Sequence, residues 1–328
     1  MNSQKKELIR VSNLKKSFAI NKGWRRKNAQ EVKAVDDVSF SIFEGETLGL
    51  VGESGCGKST TGRLILQLLA PTAGTVSFDG HDLTKLSKHD LWRRRRDLQL
   101  IFQDPYSALN PRMTINDSLN EPLKAYGENS KNRKKTINQL IDAVGIPSQY
   151  LNRYPHEFSG GQLQRIGIAR ALALKPKFVV ADEPVASLDM SIQAQILNLM
   201  TDLQKEFNYT YLFISHDLSV IDYMSNHIGV MYLGKMVELA DRDSLYRTPL
   251  HPYTQALLSA IPIADPNRAK NKIMLKGEIP SPVDPPSGCR FRTRCPFAKD
   301  ICATKNPEWV ELEKDHYVAC HIVQEARQ

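Results

Sequence analysis

The chain has 328 residues, 41% of them apolar and 24% charged, globular usage that excludes a collagenous, coiled-coil or largely disordered protein and, at roughly 150 residues per domain, predicts about two domains. No run approaches the roughly 18 apolar residues that span a bilayer, and the opening MNSQKKELIRVSN lacks the apolar core of a signal peptide, so the chain reads as cytoplasmic. Forty-four Lys plus Arg against 36 Asp plus Glu give a net charge of +8, which favours anionic partners: nucleotides, nucleic acid or lipid surfaces.

Strand-like runs alternate with helical periodicity over most of the first 240 residues, the pattern of a largely parallel α/β sheet. Residues 20–31, INKGWRRKNAQE, are polar and basic and read as an exposed inserted loop. Thr47–Val51 is a clear strand, and it runs into Gly52-Glu53-Ser54-Gly55-Cys56-Gly57-Lys58-Ser59 and then a helical stretch, Ser59–Leu69. That octet matches G-x-x-x-x-G-K-[ST] in the strand-to-helix context the motif requires. Its glycines let backbone N–H groups turn toward phosphate oxygens, Lys58 spans the outer phosphates, and Ser59 offers a hydroxyl to Mg²⁺. Cys56 reads as a small filler, with a thiol switch at a helix terminus as the alternative.

Further along, TVSFDGHDL at 75–83 carries a strand pattern into Asp79-Gly80, a hairpin turn signal that predicts an antiparallel edge beside the parallel core. Leu98–Phe102 is a strand followed by Gln103. FSGGQLQRIGIARAL at 158–172 places Ser159, Gly160 and Gly161 at a helix start, a second anion-binding terminus. Phe178–Ala181 reads as a buried parallel strand that ends in Asp182, suited to Mg²⁺, and Glu183, suited to orienting the attacking water. The helix Ser191–Phe207 turns Ile192, Ile196, Leu199, Met200 and Leu203 to one face and Gln195, Asn198 and Asp202 outward. Tyr211–Ile214 is a strand followed by His216. Gln103, His216 and the acidic pair therefore all follow strand C-termini, where ligands bind in open α/β sheets. Two phosphate cradles in one chain make sense if each ATP lies between one chain's phosphate loop and its partner's serine-glycine turn.

A boundary falls near residue 240, and beyond Pro249 proline recurs; Pro280, Pro282, Pro285, Pro286 and Pro296 disfavour regular elements there. Cys289, Cys295, Cys302 and Cys320 cluster in the tail with spacers of five, six and seventeen residues, matching neither common zinc spacing. Four thiolates can hold Zn²⁺ or a 4Fe-4S cluster and so fix a segment poor in core residues; His316 and His321 keep a mixed Cys/His zinc site open. The basic runs Arg93–Arg96, Lys131–Lys135 and Trp24–Lys27 read first as solvated surface, second as membrane-proximal charge and third as nucleic-acid contacts, with Trp24 the best candidate for a membrane or neighbour-subunit contact.

Residues 8–240 resemble an ATP-binding cassette (ABC) ATPase: GESGCGKS, Gln103, FSGGQ at 158–162, FVVADE at 178–183, Ser187-Leu188-Asp189 and His216 occur in the family's order. The resemblance implies an α/β fold: a P-loop ATPase core over 1–241 with a RecA-like mixed sheet, an antiparallel β edge and a helical signature subdomain at about 104–160. A small Pro-rich four-cysteine domain then covers 242–328. It also implies that ATP is bound by Phe18, stacked on the adenine, by Gly52 through Ser59 with Thr60, and by Ser159, Gly160, Gly161 and Gln162 across a subunit boundary reached by Asp189. By the same resemblance Glu183, His216 and Gln103 are catalytic, and Ser59, Gln103 and Asp182 hold Mg²⁺. Phe158 stands where leucine is commoner, a conservative departure.

TPLHPYTQALLSAIP at 248–262 and GEIPSPVDPPSGCRFRTRCP at 277–296 resemble the tails of oligopeptide and dipeptide importer ATPases, nearest to the second ATPase subunit of those systems. This implies a heterodimer with a related ATPase, two transmembrane permeases and an extracellular substrate-binding protein, at the cytoplasmic face of the membrane and with no nucleic acid. Among the tail's metal alternatives it points to the iron-sulfur cluster. Importers of nickel chelates or glutathione, and less closely a soluble cassette ATPase acting on ribosomes or nucleic acid, are the alternatives.

Overall fold

The computed structural model describes residues 6–20, 31–261 and 272–327. The Trp24–Lys27 run, and all of the expected insertion except its two end residues, lie outside the described residues. The chain forms two compact units, each discontinuous in sequence.

One unit takes Ile42–Thr47 and Phe78–Ile214 together with the N-terminal residues as far as Ile9. Three parallel strands lie at its centre, Leu98–Ile101, Phe178–Asp182 and Thr210–Ile214, with Ile101 opposite Ala181 and Ala181 opposite Phe213. Every residue of the second and third strands is buried, which is why neither shows the polar alternation of a half-exposed strand. Their level register brings the segments after Ile101 and Asp182 to one edge. The helix Met190–Phe207 is capped by Asp189 and buries Ile196, Leu197, Met200 and Leu203; Ile192 and Leu199 are half-buried. Gln195, Asn198 and Asp202 face outward.

The Asp79-Gly80 turn forms with φ of 49° and 78°, the pair of positive dihedrals a tight hairpin demands. Lys6 and Lys177 both pair with the Asp79 carboxylate, and their hydrogen bonds hold its pKa down at about 2. The helices Ile115–Ala125, Ser130–Ala143 and Gly160–Leu172 pack about Leu119, Leu123, Ile137, Ile141, Leu163 and Ile166. Their N-termini are capped by the side chains of Thr114, Asn129 and Ser159. Arg93, Arg96, Lys131, Lys134 and Lys135 are exposed, and Arg96 pairs with Glu128 at 3.2 Å. Exposure of this kind suits a solvated face and a membrane-facing one alike.

The other unit takes Arg10–Ser41, Leu48–Ser77 and Ser215–Gln328. Strand Thr47–Val51 runs parallel to His227–Tyr232, which pairs antiparallel with Lys235–Asp241; the sheet is mixed, but its antiparallel strands are not the expected residues 75–83, which belong to the other sheet. Strands Glu31–Phe43, Glu7–Ala19 and Ala73–Phe78 lie side by side in that order in a second sheet. The C-terminal segment differs from expectation. Its strand His316–Val318 pairs antiparallel with Lys235–Asp241, Glu238 opposite Val318, and Val310–Glu313 lies outside it. The tail thus extends a sheet of this unit instead of forming a separate four-cysteine domain. A segment with few core residues cannot bury its own strands, and an open sheet edge supplies the backbone partners it lacks. Residues 272–299 contain neither helix nor strand, as their prolines require, whereas Pro252 opens the helix Pro252–Ser259 at a position where its missing N–H costs nothing.

Candidate nucleotide site

The phosphate loop begins where the fully buried strand Thr47–Val51 ends. Gly52 lies against the Met231 carbonyl, 2.2 Å from where a Cβ would stand, and Gly57, at φ 108°, lies equally close to the Ala34 carbonyl. No side chain fits at either position, so the motif's glycines are demanded by close backbone approach as well as by dihedral freedom. Lys58 is 4% exposed, and its ammonium donates to the Gly52 carbonyl at 2.7 Å and the Glu53 carbonyl at 3.3 Å. Ser59 and Thr60 follow in the first turn of the helix Lys58–Ile65, whose N-cap is Gly57; Ser54 and Gly55 are exposed. Cys56 is 3% exposed, and burial pushes its thiol pKa up although Lys58 works against this. A protonated, enclosed thiol is a filler and no switch.

In the same unit, Ser215 donates its backbone N–H to the Leu50 carbonyl at 3.2 Å. This ties the exposed His216 to the strand that feeds the loop. Phe18, 39% exposed, lies near the end of the strand Glu7–Ala19 with the Lys16 ammonium 5.2 Å above its ring.

The other unit gathers Gln103, Asp182, Glu183, Asp189 and the serine-glycine turn. Gln103 Nε2 donates to Glu183 Oε2 at 3.2 Å. Glu183 has φ of 49°, and its N–H donates to the Ile214 carbonyl at 3.0 Å; a left-handed backbone in a non-glycine residue persists only where its surroundings enforce it. Asp182 is 5% exposed at the end of its strand. Asp189 accepts from Ser191 Oγ at 2.7 Å and from Ile192 N at 3.0 Å, bonds that lower its pKa. Ser159 and Gln162 form a reciprocal capping box: Ser159 Oγ accepts from the Gln162 N–H at 3.4 Å, and Gln162 Oε1 accepts from the Ser159 N–H at 3.1 Å. Gly161 is required for a reason the sequence does not display, since a Cβ there would stand 2.6 Å from Ile192 Cγ2. Phe158 is buried edge-on to Tyr150 in the helical core, which explains why one large apolar residue can replace another there.

In the tail the Cys289 N–H donates to the Cys302 carbonyl at 2.8 Å. Burial first, and then the nearby charges of Cys302, Cys320 and Cys295, push the Cys289 thiol up to about 11. The four sulfurs are thus within electrostatic reach of one another. Among the described residues, however, no three or more His, Cys, Asp or Glu side chains are arranged to hold a metal ion, so the expected iron-sulfur or zinc site finds no support in the arrangement of the tail. His316 binds the buried Glu238 at 2.8 Å, and His321 the Lys305 carbonyl at 3.0 Å. Each bond uses Nε2 alone and so does not by itself remove the mixed Cys/His alternative, but among the described residues no such site is assembled.

Sequence reasoning missed the side chains with which the tail reaches the loop. Arg294 Nη1 donates to both Glu53 carboxylate oxygens, at 3.0 and 2.7 Å. The Tyr253 hydroxyl accepts the Glu53 N–H at 3.0 Å. No spacing rule flags an arginine more than 200 positions from its partner.

Residues 35–186 match the family model described as ABC transporter, and residues 237–302 the one described as oligopeptide/dipeptide transporter, C-terminal region. The oligopeptide transport ATP-binding protein AppF of Bacillus subtilis is 51% identical over 96% of this chain and 97% of its own length. The chain belongs to the ATP-binding proteins of ABC transporters. A putative oligopeptide transport ATP-binding protein of the same bacterium, YkfD, is 53% identical over 97% of this chain and 96% of its own, and a probable peptide ABC transporter ATP-binding protein of Sinorhizobium fredii, y4tS, is 49% identical over 96% and 90%. Among solved structures, the post-hydrolysis dimer of the cassette MJ0796 bound to ADP and Pi aligns with TM-score 0.64 and 28% identity over 72% of this chain and 99% of that one. ATP hydrolysis coupled to transport is the activity of this family, with ATP and Mg²⁺ as its expected substrate and cofactor.

Proposed function

We propose that the protein is the ATP-hydrolysing subunit of a peptide importer. The observation that carries this is full-length identity near 50% to oligopeptide and peptide transport ATP-binding proteins, including the C-terminal region named for those transporters. Backbone N–H groups of Gly52–Ser59 and the Lys58 ammonium hold the ATP phosphates, Phe18 stacks on the adenine, and Ser59, Asp182 and Gln103 supply the hard oxygen ligands that Mg²⁺ prefers. Glu183, held in place by Gln103 and the Ile214 carbonyl, orients the attacking water, and His216 steadies the γ-phosphate. Ser159–Gln162 face the nucleotide of a second cassette, with Asp189 at the subunit boundary. The dimeric state named for the solved cassette supports a dimer; pairing with a related but different ATPase is the finer reading.

No helix among the described residues is long and apolar enough to cross a membrane, which suits a peripheral subunit at the cytoplasmic face that works through two permeases fed by an extracellular binding protein. A four-cysteine iron-sulfur cluster rests on donor chemistry alone. Iron and zinc analysis after anaerobic purification decides it, and protein without stoichiometric metal removes it. The transport reading is tested by affinity purification of the tagged chain from detergent-solubilised membranes with mass spectrometry of what survives a salt wash. Two multi-span permeases and a second cassette ATPase support it; ribosomal proteins or nucleic acid overturn it.

A further inference from the structure

The phosphate loop contains a carboxylate, Glu53, next to Gly52. A negative charge there opposes the polyanion the loop has to bind. The structure answers with a cation from the tail. The Arg294 side chain is 9% exposed and meets Glu53, 23% exposed, through Nη1 at 3.0 and 2.7 Å. The arginine is itself positioned: its guanidinium lies 5.9 Å from the centre of the Tyr232 ring, and Tyr232 packs edge-on to Tyr253 at 4.8 Å and to Phe291 at 5.2 Å. Tyr253 completes the contact by accepting the Glu53 N–H at 3.0 Å. Burial works to lower the Arg294 pKa, but its hydrogen bond to Glu53 raises it above the ordinary guanidinium value.

A second arginine of the same stretch reinforces the attachment. Arg290 donates to the Leu233 carbonyl and pairs with Asp36. The neighbouring Gly234 donates its N–H to the Cys56 carbonyl at 2.8 Å. The tail therefore holds the phosphate loop directly at Glu53, and through Arg290 it braces the Leu233-Gly234 turn whose N–H meets Cys56; all these residues lie in one compact unit.

We propose that Arg294 is a positioning residue of the ATP site: through Glu53 it cancels a negative charge inside the phosphate loop and so sets the loop's affinity for the nucleotide's phosphates. The proposal rests on the nucleotide-binding reading of the loop. It is electrostatic, which separates it from a merely structural brace. Arg294→Gln uncovers the carboxylate, and Arg294→Lys keeps a cation there. Glu53→Gln removes the charge that needs cancelling, so the double variant Arg294→Gln/Glu53→Gln carries no uncancelled charge.

The test is titration of the purified full-length chain and these four variants with ATP and ADP in the presence of Mg²⁺, at low and high salt, each variant first shown to melt cooperatively. The expected result is a Kd for ATP about tenfold weaker in Arg294→Gln, equivalent to about 1.4 kcal/mol. The deficit should be smaller for ADP than for ATP and should shrink as salt screens the exposed carboxylate. Arg294→Lys should bind nearly as the parent does, Glu53→Gln at least as tightly, and the double variant within about twofold of Glu53→Gln. A double variant as weak as Arg294→Gln, or a deficit indifferent to salt and to phosphate number, overturns the charge-cancelling role. A parent chain that bound no ATP would overturn the nucleotide site itself, a result distinct from any difference among the variants.

Discussion

In the proposed mechanism Glu183 is the residue on which the chemistry turns, and its setting makes a definite demand on it. Its backbone is held at φ 49° by a hydrogen bond to the Ile214 carbonyl, and its carboxylate accepts from Gln103. Glu183→Gln keeps the shape and hydrogen-bonding reach of the side chain but removes the charge that polarises water. ATP hydrolysis should fall about a hundredfold or more, the scale of a lost general base, while ATP binding survives; single-turnover hydrolysis beside a binding titration checks it, and near-parental turnover would dismiss the assignment. The local settings of Gly52, Lys58, Asp182 and Glu183 were legible in sequence because each is fixed by a short local rule: a strand end, a turn, a helix start. Those of Glu53, Arg294 and Gly161 were not, because each depends on a neighbour far along the chain, Arg294 for Glu53 and Ile192 for Gly161.

At the level of elements, the helix after the serine-glycine turn packs so closely on the helix Met190–Phe207 that position 161 has no room for a methyl group, the contact being 2.6 Å from Ile192 Cγ2. That atom sits on the branched carbon of Ile192 and has no free rotation with which to retreat. Gly161→Ala should therefore lower stability by about 1–3 kcal/mol, as overpacking does, and Ile192→Ala in the same chain should recover part of it. Thermal melts of the two single variants and the double read the coupling directly. Sequence periodicity caught both helices, but it placed Leu199 rather than Leu197 on the core face. A burial stripe wider than one row follows from sheet on one side and helices on another, which no single-face pattern describes.

A second element, the short helix Pro252–Ser259, begins at a buried histidine. His251 Nδ1 accepts the Tyr253 N–H at 3.0 Å, and burial, partly opposed by the charge of Glu238, depresses its pKa to about 4. Protonation would destroy the acceptor. In the unfolded chain the same imidazole titrates near 6.5, so between about 6.5 and 4 the unfolded state binds more protons and stability falls as pH is lowered through that window. Denaturant midpoints measured from pH 7 to pH 4.5 should decline, and His251→Asn, which keeps a capping acceptor but cannot titrate, should flatten the decline. An unchanged slope in that variant would trace the acid sensitivity to groups other than His251.

For the whole molecule, the decisive feature is that the C-terminal segment is structural to the unit that holds the phosphate loop. Glu238 is fully buried in strand Lys235–Asp241 and receives the Leu250 N–H at 2.7 Å, the His251 N–H at 2.9 Å and His316 at 2.8 Å. The strand that brings His316 also covers the sheet edge, with Val318 fully buried. Composition and proline spacing suggested a tail needing metal in place of a core; the sheet supplies another answer, because pairing is a long-range property that a segment's own sequence does not declare. A chain ended after residue 304 would lose both the edge strands and the His316 bond, leaving Glu238 with two of its three donors, and a buried carboxylate short of a partner is costly. Such a truncation should fail to accumulate as soluble, cooperatively melting protein. His316→Gln in the full-length chain, which spares the strand and offers Glu238 an amide donor, should melt cooperatively with a loss of about 1–3 kcal/mol. A truncated chain that folded and bound ATP as the full chain does would show that the edge strands and the His316 bond are dispensable to the unit that holds the phosphate loop.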